Sequence, residues 1–143
     1  MSEPRYCSVL YCDDVRKEEG GKLSFMGVYA SDMYIQKIPT VLAKLCIQAK
    51  VITPADRPLK SLSLAVSMND EILIDMALEA KDLHIPEDIR DSGRIFVIPI
   101  IFTLSPFQIA APGMLRVNAT TESEELIGGG LRVMEIPEET RPV

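Results

Sequence analysis

The chain has 143 residues, of which 47% are hydrophobic and 25% are charged. This is ordinary globular composition at the size of one domain, which excludes a disordered chain and allows a core without disulfides or metal. The formal net charge of −6 argues against nucleic-acid binding, which requires clustered Lys and Arg.

The first two segments are predicted to pair as a hairpin. Residues 6–14 are rich in residue types that favour strands, and residues 16–21 have the composition of a turn. Residues 23–35 then resume with Phe, Val, Tyr and Ile. We therefore predict one strand on each side of the turn.

The middle of the chain shows a period of two. Apolar residues recur at every second position in residues 45–51 and again in residues 62–68, which is typical of strands with one buried face. Asn69 and Asp70 supply the turn that follows. Residues 70–81 continue the alternation apart from Leu73, although their Glu, Leu, Met and Ala also favour helix. We predict a strand there, with a helix as the alternative.

The last part of the chain adds further strands. Residues 82–94 are polar and place Pro86 before Glu87-Asp88-Ile89-Arg90, so we predict at most one short helical turn. Residues 95–104 are apolar without alternation, as expected of a strand buried on both faces. A turn at Pro112-Gly113, a strand to Ala119, an acidic connection and a strand over 126–136 complete the chain.

Short strands with turns at this spacing indicate an all-β domain. We predict a two-layer antiparallel β-sandwich, immunoglobulin-like or related, with a small barrel as the alternative. A single domain would span residues 1–136, with a loose tail at 137–143.

No apolar leader follows Arg5, and the run at 95–104 is about half the roughly 20 residues of a membrane helix. We therefore expect a cytoplasmic protein with no membrane partner.

The N-terminal third carries a distinctive pattern of residues. They are Cys12-Asp13-Asp14-Val15-Arg16, Glu18, Gly21-Lys22, Ser24 and Gly27-Val28-Tyr29, followed by Pro39 and Lys44-Leu45-Cys46. In this pattern the chain resembles a family of small bacterial and phage proteins known as a domain of unknown function. The resemblance runs through most of the chain and is distinctive over residues 1–50. It implies a bacterial or phage setting and supplies no mechanism.

The charged first hairpin is the most distinctive candidate site. Asp13, Asp14 and Arg16 face Glu18 and Lys22 across the predicted turn. Carboxylates beside cations can bind a metal ion, transfer protons or anchor a charged partner. The same residues also suit a structural hairpin, in which the two Asp side chains point to opposite faces and the cations pair with neighbouring acids. Both interpretations stay open.

The residues give little support to a metal or cofactor site. Cys7, Cys12, Cys46 and His84 could form a zinc set, but Cys7 and Cys12 are five positions apart and therefore lie on opposite faces of a strand. There is no Gly-x-Ser-x-Gly motif, and the three glycines at 128–130 lack the following Lys-Ser or Lys-Thr of a phosphate-binding loop. We expect free thiols, no metal, no cofactor, and a bulge or turn at the glycines.

Pro99 interrupts the most apolar strand. Proline cannot donate to a β ladder, so this strand is predicted to lie at a sheet edge. An apolar edge must be covered, either by loops of the chain or by a partner that adds a strand or packs on a sheet face. In the second case the interface candidates are Phe96, Ile98, Pro99, Ile100 and Phe102.

Three functional hypotheses follow. We predict a non-enzymatic protein-interaction module that self-associates or binds another protein of its bacterial host or phage. The alternative is a small-ligand or nucleotide-binding domain, whose site would lie in loops at one end of the sandwich. The third is an enzyme that uses Asp13, Asp14 or Glu18.

Overall fold

Strands dominate the computed structural model, which describes residues 4–90 and 93–137. They are β1 (Tyr6–Lys17), β2 (Leu23–Val28), β3 (Asp32–Ile35), β4 (Thr40–Leu42), β5 (Leu45–Pro54), β6 (Leu62–Met68), β7 (Glu71–Ala77), β8 (Ile95–Leu104), β9 (Phe107–Ile109), β10 (Gly113–Thr121), β11 (Glu125–Ile127) and β12 (Leu131–Glu135). Two 3-10 turns, Glu19–Gly21 and Ala80–Leu83, and one α-helical turn, α1 (Glu87–Arg90), join them. The predicted all-β class with at most one short helix is confirmed.

The strands form two large sheets. One is four-stranded, in the order β2-β1-β5-β8, and each of its pairs is antiparallel. The other is six-stranded, in the order β3-β12-β10-β6-β7 with β11 also paired to β10. Strands β4 and β9 form a small separate sheet. The pairing of β3 with β12 is parallel, so the architecture is antiparallel apart from this one pair.

The core lies between the two large sheets, because alternate residues of their central strands point inward. On β5 these are Leu45, Ile47, Ala49 and Val51, on β6 they are Leu62, Leu64 and Val66, and on β10 they are Leu115, Val117 and Ala119. All of them are buried in one cluster. The predicted period of two and the predicted two-layer sandwich are therefore confirmed, and both described sheets keep open edges rather than closing into a barrel.

The strand prediction for residues 70–81 is also confirmed, since β7 pairs antiparallel with β6. Asn69 and Asp70 form the connecting turn with φ of 52° and 68°. Positive φ at both central residues is what a type I′ hairpin turn requires, and Asn and Asp tolerate it better than most residues. The Asn69 side chain also accepts from the Met114 amide at 3.1 Å, which fixes the turn against β10.

The predicted strand over residues 23–35 is in fact two strands in different sheets. β2 pairs with β1 up to Val28, whereas β3 joins the second sheet beside β12. The chain crosses between the layers at residues 29–31, after Gly27 with its φ of 68°. This crossing lets Met33 and Ile35 enter the core from the second layer. Residue composition alone could not reveal the change of sheet.

β8 is buried on one face only, which corrects the expectation that residues 95–104 are covered on both. Ile98, Ile100 and Phe102 point into the core, whereas Val97 and Ile101 remain 38% and 39% exposed on the other side. The run lacks alternation because both faces carry apolar residues. Its position at the edge of the four-stranded sheet agrees with the prediction from Pro99.

The predicted C-terminal strand over residues 126–136 is broken into β11 and β12 by the three glycines, and both parts pair with β10. At Gly128 a Cβ atom would lie 2.5 Å from Val117 O and 2.5 Å from Val9 Cγ2. The two sheets therefore approach each other here more closely than a side chain allows. Beside this point the Tyr11 hydroxyl donates across the layers to Gly129 O at 2.7 Å.

A buried arginine ties together one end of the sandwich. The Arg5 side chain is 2% exposed and donates to both carboxylate oxygens of Glu122, in the turn after β10. It also donates to Thr53 Oγ1 at 3.0 Å and to the carbonyl oxygens of Arg57 and Pro58, each at 3.1 Å. The segment before β1, the loop after β5 and the 121–124 turn are thus joined by one guanidinium.

Of the predicted tail at 137–143, only Pro137 lies within the described residues, and the predicted domain limits of 1–136 stay a prediction. The described residues form no helix with the length and hydrophobicity needed to cross a membrane.

Candidate functional site

Asp13 in the first hairpin has a partner on the β2 side of β1. Its Oδ1 accepts from the Tyr29 hydroxyl at 2.7 Å, and a Cβ atom at Gly27 would lie only 2.1 Å from its Oδ2. Gly27 therefore makes room for this carboxylate. Burial, and then the hydrogen bond to Asp13, raises the pKa of Tyr29 to about 12, so the hydroxyl keeps its proton near neutral pH.

Asp14 has its partner on the opposite side of β1. Its Oδ1 forms an ion pair with Lys44 Nζ at 2.6 Å and accepts from the Val15 amide at 3.0 Å. The hydrogen bond from Lys44, and then the one from Val15, lowers the pKa of Asp14. Both side chains of the pair are more than 40% exposed, so it contributes little to stability.

The remaining predicted hairpin residues stabilise the turn or face solvent. Glu18 Oε1 accepts from Ser24 Oγ at 3.1 Å, and the Glu18 amide donates to Lys22 O at 2.8 Å. Arg16 is exposed and its charge also lowers the pKa of Asp14.

The structure therefore gives Asp13, Asp14 and Glu18 three different partners rather than one common centre. Among the described residues, no three His, Cys, Asp or Glu side chains lie close enough together to hold a metal ion. Sequence reasoning missed Lys44 and Tyr29 as partners, because both come from segments that only the fold brings beside β1.

The three cysteines divide between the two faces of the four-stranded sheet. Cys7 lies in the core, whereas Cys12 lies directly opposite Cys46 on the other face. All three are buried as free thiols. Burial raises the pKa of Cys7 and of Cys12, and the neighbouring Cys46 adds to the shift at Cys12. Such thiols are poor nucleophiles.

The outer face of the four-stranded sheet, meaning the side turned away from the core, is largely apolar. Cross-strand register places Tyr6, Ile52 and Val97 in one row, Leu10, Gln48 and Ile101 in another, and Cys12, Cys46 and Thr103 in a third. Five of the large hydrophobic side chains that are exposed within residues 4–90 and 93–137 belong to this face: Tyr6, Val28, Ile95, Val97 and Ile101. Their exposed fractions range from 38% to 54%.

One cation lies in the middle of this outer face. Lys50 lies in a row between Ser8 and Pro99, with Ile52 and Gln48 two residues away along β5. Its side chain is exposed and forms no ion pair within the described part of the chain. Within the described rows between Tyr6 and Cys12, the face is therefore a largely apolar surface in which Lys50 is the one unpaired positive charge.

The predicted interface residues of β8 are divided between the two faces of the strand. Pro99 is exposed on the outer face, whereas Ile98, Ile100 and Phe102 are buried in the core and Phe96 is half-buried against it. The surface that a partner can reach on this strand thus includes Ile95, Val97, Pro99 and Ile101. Residues two apart share a face, so the proline itself could have identified Val97 and Ile101 as its neighbours.

Comparison with known proteins gives a family and structural likenesses. A family model described as "Family of unknown function (DUF6941)" matches residues 8–134. None of the curated proteins matches the sequence significantly. Among solved structures, the CARDB domain of a Pyrococcus furiosus protein in complex with di-metal ions has a TM-score of 0.47 and 10% identity, covering 94% of this chain and 96% of that chain.

Proposed function

We infer from its surface that this chain, which belongs to the family of unknown function DUF6941, is a non-enzymatic protein-interaction module. The observation that carries the proposal is the exposed apolar outer face of the four-stranded sheet. The separate partners of Asp13, Asp14 and Glu18 support a structural role for the charged hairpin rather than an enzymatic one. A bacterial or phage setting and a cytoplasmic location are part of the same proposal.

The apolar side chains of this face adjoin one another across the strands. Tyr6, Ile52 and Val97 lie side by side, and Leu10 and Ile101 flank Gln48. Scattered surface hydrophobics need no explanation, whereas contiguous apolar patches on soluble proteins mark interaction sites. Docking another protein on this face would remove the exposed parts of Tyr6, Val97 and Ile101 from water.

Packing on the face is favoured over addition of a strand to the edge. β8 is the apolar one of the two edge strands of this sheet, and Pro99 in its middle has no amide hydrogen to offer a new neighbour. Prolines and similar features are how sheet edges avoid pairing with other chains. The flat outer side of β1, β5 and β8 has no such obstacle.

The chemistry of the face indicates the kind of partner. Lys50 would lie within the interface, where an unpaired charge is costly. The neighbouring rows offer it no carboxylate. Asp14, the acid on this side of β1, lies beyond the row of Cys12 and is paired with Lys44, so a second copy of the face would bring a second Lys50 and no unpaired acid. We therefore propose a different protein, whose contact surface is apolar and presents a carboxylate to Lys50.

Affinity capture from cells of the source organism tests this proposal when matched variants are included. Ile101→Lys places a charge in the apolar rows, and Lys50→Glu reverses the central charge. Ile127→Lys is the control, since Ile127 is 67% exposed on the other sheet. We expect one protein to be retained by the wild type and by Ile127→Lys, and to be lost with Ile101→Lys and Lys50→Glu.

Two results would overturn the proposal. One is recovery of the same proteins with all four forms of the chain, provided that circular dichroism shows each form folded. The other is self-association in analytical ultracentrifugation that Ile101→Lys abolishes, because the face would then bind a second copy instead of a different protein.

A further inference from the structure

A separate cavity lies at the end of the sandwich where Arg5 is buried. It is an open cavity with a volume of about 680 Å³, bordered by the loop at residues 57–60, residues 80–90 and the turn at residues 122–123. Its apolar lining includes Pro58 and Ala80, which are accessible, and Leu59, Leu83 and Ile85, which are only 5%, 3% and 0% exposed. This volume and mixed lining are typical of sites for small molecules. None of its lining residues belongs to the outer face described above.

The cavity is basic although the chain as a whole is acidic. Arg5, Arg57, Lys60 and Arg90 line it together with His84, and among the described residues Glu122 is the one acid in the lining. The chain has a formal net charge of −6. A concave surface lined by one sign of charge and backed by apolar walls concentrates the field and attracts ions of the opposite sign.

Arg5 and Glu122 form a mutually neutralised pair beneath the cavity. All three guanidinium nitrogens of Arg5 donate to protein acceptors, among them Thr53 and both oxygens of Glu122. The pair therefore holds the walls in place and leaves no net charge for a ligand. The charge available to a ligand comes from Lys60, Arg57 and Arg90.

Each of these three cations has a contact that positions it at the cavity: Lys60 through its backbone amide, Arg90 through Nε and Arg57 through its guanidinium. The Lys60 amide donates to Glu122 Oε1 at 2.6 Å, while its ammonium has no partner within residues 4–90 and 93–137. Arg90 Nε donates to Ile85 O at 2.9 Å, which orients the guanidinium along the lining. Arg57 forms an exposed ion pair with Glu124 at 3.3 Å, a type of contact that is weak and easily exchanged.

We propose that this cavity binds a small phosphate monoester, with the phosphate between Lys60, Arg57 and Arg90 and the organic group against the apolar surface that Pro58 and Ala80 expose. A phosphate monoester carries close to two negative charges at pH 7, which suits several cations better than a single carboxylate does. Arginine binds phosphate through two parallel N–H donors, whereas lysine contributes a point charge. The apolar lining favours esters with an apolar body over the inorganic ion.

Isothermal titration calorimetry with three probes tests the site. Inorganic phosphate, phenyl phosphate and adenosine monophosphate distinguish the bare ion, an apolar ester and a nucleotide as the source of the phosphate. Inorganic sulfate is the control for adventitious anion binding. We expect saturable binding of at least one ester, about tenfold or more tighter than inorganic phosphate, because the organic group gains burial against the apolar lining.

Variants locate the binding. Lys60→Glu reverses the charge of the lining cation whose ammonium has no hydrogen-bond or ion-pair partner among the described residues, and we expect it to weaken ester binding by about tenfold or more. Lys60→Gln is the milder second variant. Lys50→Glu, on the outer face of the four-stranded sheet, is the matched charge control and should leave ester binding unchanged.

Several outcomes would overturn the inference. They are the absence of saturable binding by any ester to the folded chain, equal affinities for both esters, inorganic phosphate and sulfate, and equal losses in Lys60→Glu and Lys50→Glu. Because the cavity and the outer face share no residue, failure here leaves the interaction proposal intact, and failure of that proposal leaves the cavity intact.

Discussion

The Arg5 guanidinium and the Glu122 carboxylate pair across 117 positions of sequence. Both oxygens of Glu122 accept from Arg5, and Glu122 Oε1 also accepts from the Lys60 amide at 2.6 Å. Arg5 in turn donates to the carbonyl oxygens of Arg57 and Pro58. A single buried ion pair therefore holds the segment before β1, the loop after β5 and the turn after β10 against one another.

Replacing this carboxylate should destabilise the fold. We expect Glu122→Gln to lower the free energy of unfolding by about 1–3 kcal/mol, because Arg5 keeps its buried charge and loses its counter-ion. Glu124→Gln is the matched control, since the Arg57–Glu124 pair is exposed and should contribute less than about 1 kcal/mol. Urea denaturation of the three proteins measures both values. Equal destabilisation by the two variants would contradict this account of the ion pair.

The low pKa of Glu122 predicts that the stability of the fold depends on pH. Partial burial raises the pKa of Glu122, but the hydrogen bonds from Arg5 and Lys60 outweigh it and hold the pKa at about 2, below the usual 4.5. The unfolded chain therefore takes up the proton first as the pH falls. The stabilisation is complete above pH 4.5 and is lost as the pH falls towards 2.

In measurements, the stability difference between wild type and Glu122→Gln should be constant near neutral pH and should shrink as the pH is lowered from about 4.5 towards 2. Denaturation curves collected at a series of pH values give this difference directly. A stability difference that grows on acidification would contradict the predicted direction of the pH dependence. It would mean that folding does not stabilise the ionised form of Glu122.

Tyr11 links the two layers by a hydrogen bond. It is 4% exposed, and its hydroxyl donates to Gly129 O at 2.7 Å. We expect Tyr11→Phe to lower the free energy of unfolding by about 0.5–1.5 kcal/mol, because the hydrogen bond from the buried Tyr11 to Gly129 O is lost. Tyr34→Phe is the control, as Tyr34 is 56% exposed and its hydroxyl lies 3.3 Å from Asp32. Thermal melts in which Tyr34→Phe is the less stable variant would refute the prediction.

Gly128 and Gly129 make a second matched comparison. A Cβ atom at Gly128 would lie 2.5 Å from both Val117 O and Val9 Cγ2, whereas one at Gly129 has nothing within 4 Å. We expect Gly128→Ala to cost about 1–3 kcal/mol, because the two sheets must move apart to accept the methyl group. Gly129→Ala should be close to neutral. Urea denaturation of the two variants measures the change in the free energy of unfolding. Similar changes for Gly128→Ala and Gly129→Ala would mean that the layers are not in close contact at Gly128.

The thiols should be protected in the folded chain. Cys7, Cys12 and Cys46 are 9%, 0% and 2% exposed, and burial raises the pKa of Cys7 and Cys12. Since the thiolate is the reactive form, we expect slow labelling by Ellman's reagent at pH 8 and rapid labelling of all three cysteines in guanidinium chloride. Fast native labelling of any one of them would show that its strand opens to solvent.

The alternating segments explain how much of the fold could be predicted from the sequence. Residues 45–51 and 62–68 each have one apolar face, so their strand character and their inward residues followed directly. The run at 95–104 is apolar on both faces, so periodicity could not tell that Ile98 and Ile100 face the core while Val97 and Ile101 are exposed. The crossing after Val28 depends on pairing with β12, a contact that local sequence does not encode.

The candidate sites were harder to predict, because their parts are distant in sequence. The hairpin carboxylates were visible as a charged cluster, but Lys44 is 30 positions from Asp14 and no local pattern joins them. The basic cavity draws on residues from Arg5 to Ser123. Its cations look scattered along the chain and become a cluster only after folding.

The parallel pairing of β3 with β12 constrains how the protein can be made. Asp32 and Arg132 are neighbours in this ladder and form an ion pair, although 100 residues of synthesis separate them. Until β12 has been synthesised, β3 lacks the strand with which it pairs. Met33 and Ile35 on β3 therefore reach their buried positions only after β12 joins the second sheet. The first hairpin can assemble early, whereas completion of the sandwich is necessarily one of the last events after translation reaches β12.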